Sequence, residues 1–329
     1  MLDTVTLDNR YKKLFQDGKL VQVHVSKWGM HRNLTEKDLD LEKEIESEPT
    51  LPSFMRLGQK MLFTDEVRLP FGRIESAARN YLAINSHKFP IAETHFVTQK
   101  SLVKVLTMLE EYKETYDKAT QNFLENYDQN KQKMLEKYPD YRAVLEPYYP
   151  TAEQVRHKFS FGVTFYEIAF PKALKSLTMV DVLAQNEEVA KMQEKYAAQM
   201  DTQYKQSVKM MEGFLQESAM SLRSEIVKTF EVIAAKIQNK EVVTGTNLNT
   251  LRKTIEAFDG LDFLDDNKIK ENLKLVKSLV TPGATFKDDD TALAKLQAAV
   301  TTTLETARNM SDIDTLTGGY NRHVDIGEL

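Results

Sequence analysis

From about Thr178 to Glu241 the chain contains no proline, and Gly213 is its only glycine. Neither residue type that interrupts a helix interior is otherwise present, so the stretch reads as one long helix. Within it Tyr204, Val208, Met211, Leu215, Ala219, Leu222, Ile226, Phe230, Ile233 and Ile237 recur at steps of four and three. That is a single apolar stripe, which requires another helix to cover it. The steps sum to eleven residues per three turns, the period of an almost straight rod. At 1.5 Å per residue the rod spans roughly 90 Å. Part of it is expected to outrun any compact core and to meet another chain.

A first long helix is expected over Thr98–Lys137. Leu102, Val105, Leu109, Tyr112, Tyr116, Ala119 and Phe123 form a heptad seam, and Pro139 ends the pattern. Two stretches alternate with period two instead. In Lys19–Trp28, Val21, Val23 and Val25 share a face; in His157–Phe170 aromatic residues fall on both faces. These are read as two strands that pair, because a lone strand leaves its backbone groups without partners. A capping-box-like start at Thr35–Asp38 predicts a short acidic helix to Ser47. Another helix is expected from Pro70 to Asn85. Thr244-Gly245 reads as the stop of the long helix. Asn247–Phe258, Asn267–Val280 and Asp288–Arg308 follow as amphipathic pieces, and Ser311–Leu329 as an extended tail.

The fold expected is thus mainly α: a long antiparallel, coiled-coil-like helical hairpin, a small β element and a C-terminal helical unit. Its divisions are an α+β region at 1–95, the hairpin at 96–242 with a strand near 157–170, the C-terminal helices at 243–310 and a tail at 311–329.

Chemistry is scarce. With no cysteine in 329 residues, disulfides, thiolate metal sites and cysteine nucleophiles are excluded. Phosphate-loop, dinucleotide, nucleophile-elbow and zinc-protease signatures are absent. The six histidines never fall at i, i+4, so they read as surface or strand residues rather than a zinc site. The segment Asp262–Asp266 lacks the alternation of a calcium loop and reads as solvated acids at a helix start. No catalytic, cofactor-binding or metal-binding residue is assigned, and no cofactor is expected. The absence of an apolar leader or an 18-residue apolar run points to a soluble, cytoplasmic protein that spans no membrane.

Two surfaces remain. Tyr204, Val208, Met211, Leu215, Leu222 and Ile226 on the stripe are the expected partner interface, with self-association as a second use of it. Arg68, Arg73, Arg79 and Lys88 form a candidate basic patch, diluted by Asp65, Glu66 and Glu75. A net charge of −5 weighs against nucleic acid as its ligand. Met200 and Met211 read as seam packing, with Met192, Met210 and Met220 at its margins, sooner than as a promiscuous groove.

Several segments carry a family resemblance: VHVSKWGMHRNLTEKDL (Val23–Leu39), LGQKMLFTDEVRLPFGRIESAARNYL (Leu57–Leu82), HKFP (His87–Pro90), FLENY (Phe123–Tyr127) and KFSFGVTFYEI (Lys158–Ile168). Over about the first 240 residues the chain resembles the phage and bacterial proteins of domain-of-unknown-function family 3150. The resemblance brings no catalytic residue. It implies genetic neighbours of the MoxR-type AAA+ ATPase and von Willebrand factor A-like kinds, hence an adaptor of an ATPase machine in the bacterial or host cytoplasm. Two other roles stay open, a DNA-binding or DNA-processing accessory protein and a virion or assembly protein.

Overall fold

The computed structural model describes residues 17–35, 58–166, 187–284, 286, 289–309 and 313, without the side chains of residues 187–201, 203 and 204. The expected Thr35–Ser47 helix, residues 167–170 of the second strand, residues 178–186 and most of the tail lie outside these residues. The elements run β1 (Gly18–Ser26), β2 (His31–Asn33), β3 (Gln59–Met61), α1 (Asp65–Ile84), β4 (His87–Lys88), β5 (His95–Thr98), α2 (Gln99–Glu125), α3 (Tyr127–Lys137), α4 (Arg142–Leu145), α5 (Ala152–Arg156), β6 (Ser160–Tyr166), α6 (Glu187–Gln238), α7 (Gly245–Leu261), α8 (Asn267–Leu279) and α9 (Asp290–Arg308). The chain is mainly helical, with one small sheet ordered β4-β5-β1-β6 and a separate β2-β3 pair. The two strands expected from period-two alternation, β1 and β6, are neighbours in that sheet.

Two compact units divide the described residues, and they interleave in sequence. One draws on Met1–Leu20, Asn85–Val103 and Phe165–Leu329; the other on Val21–Ile84 and Lys104–Thr164. β1, α2 and β6 each pass from one to the other.

In the first unit α6 is one unbroken helix of 52 residues, as the lack of breakers predicts. Its lower stripe is covered at home. Leu222, Ile226, Phe230, Ile233 and Ile237 share a core with Leu248, Leu251 and Ile255 of α7, Ile269, Leu273 and Val276 of α8, and Leu296, Val300 and Leu304 of α9. The C-terminal helices therefore belong with α6 and are not a unit apart. The contacts of α6 do not show the expected antiparallel hairpin between the two long helices. Thr244-Gly245 is not the stop of α6 either. The amides of Lys240 and Glu241 bond back to Ile237 and Lys236 (3.1 and 2.8 Å), and Lys240 is left-handed at φ 55°. This Schellman turn ends the helix at Gln238. Thr244 instead caps the start of α7, its hydroxyl accepting from the Asn247 amide in a capping box.

The second unit closes on rings. The expected seam of α2 is buried or half-buried throughout, with Val105, Leu109, Tyr116 and Phe123 at 3% exposure or less. The expected single helix over Thr98–Lys137 is interrupted at Asn126, whose side-chain Nδ2 donates to the Asn122 carbonyl at 2.9 Å. Helix α1 begins at Asp65, not at Pro70. The Thr64 carbonyl accepts from Val67 and Arg68, Asp65 and Glu66 suit the positive helix end, and Pro70 is carried inside. Trp28, Phe63, Phe71, Phe123, Tyr127, Tyr149 and Phe159 form a continuous set of ring contacts at 4.9–6.4 Å, mostly edge to face. Three tyrosine hydroxyls leave this core to donate to backbone carbonyls: Tyr116 to Ser26 and Tyr127 to Pro150, both at 2.6 Å, and Tyr149 to Leu62. Burial raises the pKa of Tyr127 to about 12 and raises Tyr116 and Tyr149 further.

Candidate functional site

The stripe expected to meet a partner is largely spent inside the chain. Met211 is fully buried with Phe214, Leu20, Phe89 and Phe96, and Val208 and Leu215 pack against that cluster. Leu222 and Ile226 lie in the helical core. Met211, Leu222 and Ile226 are buried, and Val208 and Leu215 half-buried, under α7–α9 and the β4–β5 hairpin. The side chain of Tyr204 is outside the description.

Within the candidate basic patch, carboxylates engage Arg68 and Arg79. Arg68 pairs with Asp65 at 2.6 Å, and Glu75 takes both Arg79 (3.1 Å) and Lys27 (2.6 Å). Burial would raise the Glu75 pKa, but Lys27 and Arg79 outweigh it and hold it below the usual range. Arg73 is exposed on α1, and Lys88 sits on β4 in the other unit.

What the fold does gather is a polar clasp at the C-terminal end of α7. The last carbonyls of a helix have no partners within it and carry its negative pole. Here four side chains from residues 87–101 supply donors. Thr98 Oγ1 (2.5 Å) and Ser101 Oγ (2.9 Å) bond the Gly260 carbonyl. His87 Nε2 bonds Leu261 at 2.8 Å, and Lys100 Nζ bonds the Asp262 carbonyl at 3.1 Å. Gly260 suits the approach, since a Cβ there would meet Ser101 Oγ at 3.0 Å. Rings seal the clasp: His87 lies edge-on to Phe263 (5.1 Å) and Phe214 (6.4 Å). His87 is a strand residue, as one of the two readings of the histidines has it, and it is buried. Burial lowers the pKa of His87 against the pull of Asp262, and lowers that of His95 with help from Lys88.

Beside the clasp lies a buried charge node. Asp262 and Asp266 are 1% and 5% exposed, so they are not the solvated acids expected. Asp266 does start a helix, accepting from the Ile269 amide as the N-cap of α8. Its other oxygen takes Arg223 Nε at 2.8 Å, and Arg223 Nη1 reaches the Asn309 carbonyl at 2.6 Å beyond α9. Asp262 accepts from the Leu264 and Asp266 amides and from Lys270 Nζ at 2.9 Å. Burial opposes the charge on Lys270, yet Asp265 and Asp262 raise its pKa. Internal bonds engage each of these groups. The arrangement is suited to holding elements together, not to presenting an acid–base pair to a substrate.

None of the clasp residues was assigned from sequence. Thr98 and Gly260 are 162 residues apart, and no periodicity links them. Among the described residues no cluster of three or more His, Asp or Glu could hold a metal ion, and no helix is long and apolar enough to cross a membrane.

A family model described as "Protein of unknown function (DUF3150)" matches residues 16–284. The match runs past residue 240, where the resemblance read from sequence ends, and takes in α7 and α8 of the first unit. No curated protein and no solved structure matches the chain.

Proposed function

The chain belongs to the DUF3150 family, and we propose that it is a non-enzymatic helical adaptor that engages a protein partner along the N-terminal part of α6. A mismatch of lengths supports this reading. Helix α6 has 52 residues, about 78 Å, whereas α7, α8 and α9 have 17, 13 and 19, so the longest of them spans about 28 Å. Among the described residues, the aromatic cluster around Phe214 extends the cover to Val208. N-terminal to it the apolar steps continue in sequence at Tyr204, Met200 and Ala197. A seam that outruns its own packing helices invites a helix from elsewhere, in coiled-coil fashion.

The partner proposed is the MoxR-type AAA+ ATPase that the family resemblance implies, in the cytoplasm of a bacterium or of a phage-infected host. The DNA-accessory role has less support, because Arg68 and Arg79 are engaged by Asp65 and Glu75. The test is sedimentation of the purified chain with a MoxR-type AAA+ ATPase. Met200→Glu with Tyr204→Glu is expected to weaken the complex at least tenfold while leaving the thermal melt in place. Absence of a complex with the unaltered chain, or equal binding by the variant, overturns the reading. A homodimer lost in the same variant replaces the ATPase by a second copy.

A further inference from the structure

We propose that β6 is a docking edge for β6 of a second copy of this chain, laid antiparallel so that the sheet continues across a two-fold axis. The two ends of the sheet differ. β4, at one end, is two residues long, carries the exposed Lys88 and runs into Pro90. Shortness, lysine and proline are the devices that keep a sheet edge from pairing. β6, at the other end, has seven residues, SFGVTFY, with neither a charge nor a proline. Among the described residues its neighbour in the sheet is β1 alone. A strand with one neighbour turns half of its backbone N–H and C=O groups outward, here about seven groups along about 24 Å.

The side chains select the occupant. Phe161, Val163 and Phe165 share one side of the strand by its period of two. Their cover fades along it: Phe161 is 6% exposed, Val163 half-buried and Phe165 50% exposed. On the other side Ser160 and Thr164 are exposed, and a Cβ added at Gly162 would meet nothing within 4 Å. An antiparallel copy centred on Val163 sets the covered Phe161 of each chain opposite the open Phe165 of the other, an aromatic cross-strand pair made twice. Charge favours the same arrangement. Arg156, His157 and Lys158, all exposed, lead into β6, and Glu167 follows it in sequence. Antiparallel pairing brings unlike ends together, whereas parallel pairing would set the basic leads side by side.

β6 and the N-terminal part of α6 are different segments, so a contact through one is lost by substitutions that spare the other. Sedimentation of the full chain from about 1 to about 100 μM is expected to show a reversible dimer, weak because a single strand pair is a small interface. Phe165→Lys changes an exposed position and is expected to weaken the dimer about tenfold or more, with the thermal melt and Trp28 fluorescence unchanged. Met200→Glu with Tyr204→Glu is expected to leave this dimer in place.

The chain has no cysteine, so single substitutions report the register. Val163→Cys, on the two-fold axis, should cross-link under mild oxidation; Ser76→Cys, exposed on α1, should not. A monomer at every concentration, a dimer that persists in Phe165→Lys, or equal cross-linking of the two cysteine variants overturns the proposal. Should Phe165→Lys not fold, the cysteine variants decide. Cross-linking of Val163→Cys alone supports the edge contact, and cross-linking of neither or of both overturns it.

Discussion

Around α6 and around α2 the chain solves one problem in two ways. Both helices carry an apolar seam that must be covered. Along Leu222–Ile237 of α6 the cover is aliphatic: leucine, isoleucine and valine of α7, α8 and α9, with Phe230 and Phe258 among them. Around α2 it is aromatic, with Phe63 touching Trp28, Phe123, Tyr127 and Tyr149. Aliphatic side chains pack without directional demands, so the helical core has its specific polar bonds at its margin, in the clasp and the Arg223–Asp266 pair. Rings have preferred edge-to-face geometry, and tyrosines end in a donor. The aromatic core therefore ties its strands and loops from within, through the hydroxyls of Tyr116, Tyr127 and Tyr149. The lesson is where each unit is brittle: the helical unit at one buried ion pair, the aromatic unit in several places, each for less.

The sharpest way to break this contrast is Arg223→Ala. It leaves Asp266 buried without its cation and removes a donor from the end of α9. A loss of about 3–5 kcal/mol in chemical denaturation is expected. A loss below 1 kcal/mol would show that the node is not the weak point of the helical unit. Tyr116→Phe makes the matching cut in the aromatic unit, leaving the ring and removing the bond to Ser26. About 1–2 kcal/mol is expected, read by the fluorescence of Trp28, the only tryptophan.

Acid separates the units by where each responds. Folding depresses the His87 pKa, so the unfolded state binds the extra proton first. The full contribution of the neutral ring is present above about pH 6.5 and is lost as pH falls, by up to about 1.4 kcal/mol per pH unit. In the aromatic unit the group to watch is Glu75, also depressed, whose contribution is complete above its ordinary value of 4.5 and fades only below that. Denaturant midpoints taken from pH 8 to pH 4 should show the helical unit weakening first. The reverse order would break the contrast. The smallest effect is expected at Lys240, left-handed at φ 55° in the turn ending α6. Lys240→Gly relieves that strain and should add about 1 kcal/mol or less in thermal melts.

The two seams could be read from residue types alone. The spacing of Leu222 to Ile237 and of Val105 to Phe123 is a property of the helix period, and no tertiary contact can change it. The strands β1 and β6 and their adjacency followed from period-two alternation, and the continuity of α6 from the absence of breakers. Helix ends were less legible. Thr244 looks the same in sequence whether it stops one helix or caps the next, and Lys240 does not announce a left-handed residue that glycine usually takes. Met211, Leu222 and Ile226 are buried as a seam requires, yet which surface would cover them was beyond the pattern.

That question of cover marks the division. By itself the sequence determined which faces had to be buried, because burial need is set locally by side-chain chemistry and helix period. Only the tertiary structure decided what buries them: C-terminal helices and a hairpin from residues 85–103 close on α6, and the rings of Phe63, Phe71, Tyr127 and Phe159 close on α2. The clasp on Gly260, Leu261 and Asp262 exists because chain folding brings together residues about 160 positions apart. Such pairings depend on the complementarity of whole surfaces, and no local spacing records them.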